Sequence, residues 1–122
     1  MIKANELRVG NWVNYLGTPI KILSGAQIDR NIKAFRPITL TPEILERCQL
    51  EYLSDPINGY ELTKHICIVK NIDRYSLGVI ETSVNGGEYV SEIRRIEYMH
   101  ELQNLIFSLT GEELEIKQLE HA

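Results

Sequence analysis

Long hydrophobic runs are missing from this chain. Its apolar stretches last only a few residues, too short for a helix across a bilayer. The opening "MIKANELRVG" has no apolar h-region and is not a secretory signal. Both absences set the expectation of a cytoplasmic protein with no membrane partner. Cysteine is scarce: Cys48 and Cys67 stand 19 residues apart and belong to no CxxC pair. Two buried free thiols are the expected state for such a chain in a reducing compartment. The three histidines, His65, His100 and His121, form no HxH, HxxxH or HExxH pattern, so no metal site is expected. There is no P-loop, no GxGxxG, no GxSxG and no paired-carboxylate signature. The sequence asks for no cofactor and gives no positive sign of an enzyme. An excess of basic residues is missing too: 13 Lys and Arg stand against 17 Asp and Glu, a net charge of −4. That balance disfavours non-specific binding to a phosphate polymer.

What is present describes one small folded domain over residues 1–122, a length that buries enough surface for a core without staples. The composition, 43% hydrophobic and 25% charged, is that of a globular protein and not of a disordered one. "LRVGNWVNYLGTPIKIL" reads as two strands, β-preferring around Trp12 to Leu16 and again around Ile20 to Leu23, with Gly17-Thr18-Pro19 between them. Residues 24–36 are expected to form a loop with a short strand from about Ile28 to Phe35. Thr41 as N-cap, Pro42 in the first turn and Glu43 beside it predict a short helix over 42–48, burying Ile44, Leu45 and Cys48. "SDPINGY" is the clearest turn cluster and marks possible halves at 1–53 and 60–118, joined at 54–59. Three strands follow, "ELTKHICIVKN", "SLGVIETSV" and "EYVSEIRRI", the last two flanking Asn85-Gly86, which predicts a type I′ hairpin turn.

In "YMHELQNLIFSLTGEEL", Met99, Leu102, Ile106 and Leu109 recur at helical spacing and Gly111 supplies a stop. "ELEI" offers a last short strand, with a frayed "KQLEHA" after it. The fold class expected is α+β: a small antiparallel sheet or SH3-like partial barrel with one main C-terminal helix packed on it and a short helix near 42–48.

Three sets of residues are candidates for function. His100, Gln103 and Asn104 lie at i, i+3 and i+4 on the polar side of the C-terminal helix, with Phe107 at i+7. They form either a gripping surface or a solvated face beside a core stripe widened by Phe107. As a catalytic base, His100 would need an acid from another segment, since Glu101 points about 100° away around the helix. Trp12 and Tyr15 are a possible aromatic pair of the kind that lines peptide grooves, or core residues. Arg94 and Arg95 with Tyr89 are the alternative, a nucleic-acid patch. Against it, adjacent strand residues face opposite sides and Glu81, Glu88, Glu92 and Glu97 interleave.

"NELRVGNWV" and "YMHELQNLIFSLTGEEL", with the central "ITLTPEIL", resemble a family of small phage- and prophage-encoded proteins of Bacteroidetes. Its members carry an "LRIGN" type start and a C-terminal segment close to "YVHQLQNLYFALTGEEL". Tyr98, His100, Leu102 to Leu105, Phe107 and Leu109 to Leu114 match the second motif, while Glu101, Ile106 and Ser108 depart from it. The resemblance implies a genomic setting and no catalytic residues. The expected function is a non-enzymatic accessory protein of the host cytoplasm that binds a protein of the host or the virion. A homodimer is a further way to use such a surface, and nucleic-acid association through Arg94, Arg95 and Tyr89 is the second reading. If the helix packs as expected, Leu102→Ala destabilises the fold and Gln103→Ala leaves it almost unchanged.

Overall fold

A computed structural model describes residues 2–71 and 74–116; His121 and the "KQLEHA" end lie outside the described residues. The class is α+β, as expected, with the strands sorted into two antiparallel sheets. The chain divides into two compact units, residues 1–48 with 98–122 and residues 49–97. The turn cluster at 54–59 falls inside the second unit. No helix among the described residues is long and apolar enough to cross a membrane.

In the first unit, β1 (Trp12–Tyr15) and β2 (Thr18–Lys21) form the expected hairpin, Val13 opposite Ile20. Its turn places Leu16 and Gly17 at positive φ, 52° and 85°. Residues 24–36 differ from expectation. They form a helix, α1 (Gly25–Asn31), then a 3-10 turn over Ile32–Ala34 and a two-residue strand, β3 (Phe35–Arg36), beside β1. The physical reason is a capping box: Ser24 accepts from the Gln27 N–H at 3.4 Å, and Gln27 reaches back to the Ser24 N–H at 3.1 Å. The second helix, α2 (Pro42–Arg47), starts as predicted, with the Thr41 hydroxyl accepting from the Ile44 N–H at 3.2 Å. Ile2, Leu7, Val13, Ile22, Ile28 and Phe35 make one core of this unit.

The long helix α3 (Met99–Thr110) closes the same unit. Gly111, at φ 75°, donates its N–H to the Phe107 carbonyl at 2.8 Å and ends the helix as a left-handed residue should. Met99, Leu102 and Ile106 are buried. Leu109 is not: it is 38% exposed in the last turn. "ELEI" does not form a strand.

The second unit is a meander of five antiparallel strands: β4 (Tyr52–Leu53), β5 (Gly59–Thr63), β6 (Ile66–Asn71), β7 (Arg74–Thr82) and β8 (Glu88–Ile96), in that spatial order. The stretch expected as one strand, "ELTKHICIVKN", is a hairpin that turns at His65, φ 68°. The β7–β8 hairpin is present, but its turn is not type I′. Gly86 donates to the Ser83 carbonyl at 2.9 Å, and among residues 83–87 only Gly86 has positive φ. Val84 and Asn85 therefore make an ordinary turn, and Gly86 supplies the left-handed residue that returns the chain to register. Ile57, Cys67 and Val69 form the apolar cluster on one sheet face, with Leu53, Ile80 and Val90 against it. Both cysteines are free and buried, and burial pushes the Cys48 thiol up to about 12.

Candidate functional site

The helix side read as either a gripping surface or a solvated face is largely buried, His100 at 3% exposure and Gln103 at 1%. Gln103 turns inward onto the N-terminal segment. Its Nε2 donates to the Gly10 carbonyl at 2.9 Å, and its Oε1 accepts from the Trp12 N–H at 2.8 Å. Asn104, the next residue, donates from Nδ2 to the Glu6 carbonyl at 2.9 Å. Its Oδ1 accepts from Asn11 Nδ2 at 2.9 Å and from Arg8 Nε at 3.1 Å. The segment around residues 6–12 has irregular backbone, and its amides need partners once water is excluded. Two side-chain amides on one helix turn meet that need.

Arg8 and Asn11 complete the clasp. Asn11 is fully buried, and its Oδ1 accepts from the Arg8 N–H at 2.8 Å. The Arg8 guanidinium pairs with the Glu113 carboxylate and lies 4.3 Å over the Phe107 ring. Phe107 thus does not widen the core stripe; it is 39% exposed and carries a cation on its face. Gly10 has φ 101°, and a side chain there would point at the Glu113 carboxylate. The N-terminal stretch around residues 6–12 and the C-terminal helix therefore meet in one polar cluster. The polar side chains named in it bond to one another or to backbone within the chain.

Trp12 and Tyr15 do not form an aromatic pair. Three positions apart on a strand, they face opposite sides. Trp12 is 6% exposed, and Tyr15 packs edge-to-face on Phe35 with centroids 5.9 Å apart. Neither is a groove.

His100 is 3% exposed in the first turn of α3 and stacks on Tyr98, the rings 9° from parallel. An acid from another segment comes near it without a hydrogen bond: Glu6 Oε2 lies 3.9 Å from Nε2. Burial holds the imidazole below its usual range, and the carboxylates of Glu101 and Glu6 pull only part of the way back. A small cavity beside it is lined by Ile2, Glu6, Pro37, Tyr98, His100 and Glu101. The lining offers no Ser, Thr or Cys that the histidine would activate.

In the second unit, the alternative patch residues Tyr89, Arg94 and Arg95 are all exposed on β8, a strand at the edge of its sheet. A bulge interrupts that strand: Glu92 faces Gly78 and Arg94 faces Leu77, so Ile93 is the extra residue and is 59% exposed. Arg95 pairs with Glu97 at 3.1 Å, which neutralises part of the basic surface. Beside β8 runs a groove of about 490 Å3, lined by Pro56, Ile57, Val69, Tyr89 and Val90, with Asn58, Lys70, Glu88 and Glu92 also contributing. Gly78 makes room for the Val90 side chain. A Cβ there would sit 2.3 Å from Val90 Cγ1, so the glycine lets Val90 lie across β7.

Among the described residues, no group of three His, Cys, Asp or Glu side chains is placed to hold a metal ion. Comparison with protein families, curated proteins and solved structures finds no match to this chain.

Sequence reasoning missed Glu6, Arg8, Asn11 and Glu113 as parts of these sites. Gly10-Asn11 was the available signal, a bend whose backbone groups require partners.

Proposed function

We propose that the protein is a non-enzymatic interaction module, a phage or prophage accessory protein that binds a protein partner through strand β8 and the groove beside it. The resemblance of its two end motifs supports the genomic setting. The observation that carries the binding reading is a set of three exposed apolar side chains on one hairpin, one of them in the wall of a groove. Val84 at its tip is 104% exposed, Ile93 59% and Tyr89 48%. Tyr89 also lines the neighbouring groove, whose wall mixes Ile57, Val69 and Val90 with Lys70, Glu88 and Glu92, a combination of apolar and charged groups that suits a protein contact. The bulge at Ile93 and the charges at Glu88, Glu92, Arg94 and Arg95 discourage open-edge pairing of strands. Contact through side chains, with Tyr89 and Ile93 as anchors, fits this surface better than strand addition.

The nucleic-acid reading has less support. Two arginines on β8 share the strand with two glutamates, and Arg95 is already held by Glu97. The test is affinity capture from host lysate with wild type, Tyr89→Ala and Ile93→Arg, each with and without nuclease. One protein retained after nuclease by wild type and lost by both variants is the expected result. Recovery that collapses with nuclease, or that survives both substitutions, contradicts it.

A further inference from the structure

The net charge of −4 is unevenly spread along the chain. Between Arg8 and Glu43 the one acid is Asp29, set against Lys21, Arg30, Lys33 and Arg36. All five are exposed and all lie in the first unit. None of the four cations pairs with an Asp or Glu among the described residues. Arg30 stands in the last turn of α1, and Lys33 in the 3-10 turn that follows. One cation would satisfy the negative end of so short a helix, so the others need a further reason.

Arg36 has the most defined geometry of the four. Its Nη1 donates to the Lys33 carbonyl and to the Phe35 carbonyl, each at 2.9 Å. Those bonds hold the guanidinium against the turn, while Nε and Nη2 have no acceptor among the described residues. Asn14 on β1 stands directly opposite Arg36 on β3. The adjacent pair, Tyr15 and Phe35, packs into the core, so Asn14 and Arg36 share the other face of the sheet. Lys21 on β2 lies opposite Trp12, two positions from Asn14, and faces the same way. The Asn14 side chain is half-buried and makes no hydrogen bond among the described residues. A guanidinium fixed through one nitrogen, with the rest of its fork open beside an unbonded amide, is a donor set suited to phosphate oxygens.

We propose that Arg36, Asn14 and Lys33 bind a phosphate of a nucleic-acid backbone, with Lys21 and Arg30 meeting neighbouring phosphates. The cations are strung along an exposed surface and do not surround one point, which suits a polymer of phosphates better than a single anion. Tyr15, the aromatic residue beside Asn14, is packed edge-to-face on Phe35 and offers no platform for a base. Recognition is therefore of the backbone and indifferent to sequence. The site lies in the first unit and owes nothing to the β8 surface.

The full-length protein is titrated into a fluorescein-labelled single strand of about 20 nucleotides, oligo-dT or oligo-dA, and anisotropy is read at about 50 and about 200 mM salt. The expected result is saturable binding that weakens with salt and is nearly equal for the two strands. Arg36→Gln and Lys33→Gln should each weaken it about tenfold or more and lower the salt slope by about one. Arg36→Lys, which keeps the charge and loses the fork, should weaken it too, while Arg95→Gln on β8 should not. Lys33 is exposed and its side chain makes no hydrogen bond among the described residues, so Lys33→Gln keeps the means to fold. Absence of saturable binding, binding that Arg36→Gln and Lys33→Gln both leave unchanged, or binding lost in Arg95→Gln overturns the proposal. Equal affinity for a labelled polyglutamate of the same length overturns the assignment to phosphate, and a strong preference for one strand overturns the assignment to the backbone.

Discussion

Gln103 holds the Trp12 N–H at 2.8 Å inside the protein, and the same side chain takes the Gly10 carbonyl at 2.9 Å. One amide therefore ties the start of β1 to the middle of α3 on both hydrogen-bonding sides. The expectation that Gln103 is dispensable is reversed. Gln103→Ala leaves a buried N–H without a partner, at about 1–3 kcal/mol, and removes the bond to a part-buried carbonyl as well. Leu102→Ala, beside it, removes a fully buried side chain and costs about 2–5 kcal/mol. Urea denaturation of the two variants should give losses of similar size. A Gln103→Ala variant as stable as wild type would refute the clasp.

Acid should weaken the first unit through His100. Its folded pKa lies below the ordinary 6.5 because burial penalises the charged ring. The unfolded chain thus takes up the proton first, and stability rises with pH across that interval. The neutral-ring contribution is complete above about pH 6.5 and is lost as pH falls from there toward the folded value. His100→Phe should flatten this part of a plot of urea midpoint against pH. An unchanged slope in the variant would assign the effect to another group.

Gly59 and Gly17 should respond oppositely to strand geometry and to space. A Cβ at Gly59 would lie 2.7 Å from the Ile68 carbonyl oxygen and 2.6 Å from Val69 Cγ1, and backbone on the next strand cannot step aside. Gly59→Ala is expected to cost about 1–3 kcal/mol through overpacking. At Gly17 the space is open, and only the positive φ opposes alanine, a cost of about 1–2 kcal/mol. Thermal melts read both losses, and amide resonances distinguish the mechanisms, because only Gly59→Ala should disturb those on β6.

Both cysteines should be silent toward a thiol reagent in the native state. Cys48 is 4% exposed with its thiol pushed up to about 12, and Cys67 is fully buried and also raised. Labelling that waits for denaturant is expected, since the thiolate is the reacting form. Rapid labelling of either residue in buffer would contradict the packing described.

Local signals were readable wherever an element needed only its own residues. Thr41-Pro42, the Met99–Leu102–Ile106 stripe and Gly111 each carry their structural reason within a few positions. The capping pair Ser24 and Gln27 was equally local, but α1 buries only Ile28, so the apolar rhythm that advertises a helix is almost absent. Leu109 fits the stripe by spacing, yet it falls in the last turn, where the core has ended. The polar clasp was illegible for a different reason. Nothing within residues 100–107 says that Gln103 and Asn104 meet Gly10, Asn11 and Trp12, because periodicity reports a face and not what lies opposite it. The same holds for Glu6 and His100.

The first unit is discontinuous in sequence, and that orders events during synthesis. Its clasp joins residues 91 to 105 positions apart, while the strands of residues 49–97 close only on their neighbours. On a ribosome the meander has everything it needs before α3 emerges, whereas β1 waits with its amides in water until the last segment arrives. A chain stopped just after residue 97 would release a completed sheet attached to an unfinished one, and surveillance proteases would find their substrate at the N-terminal end.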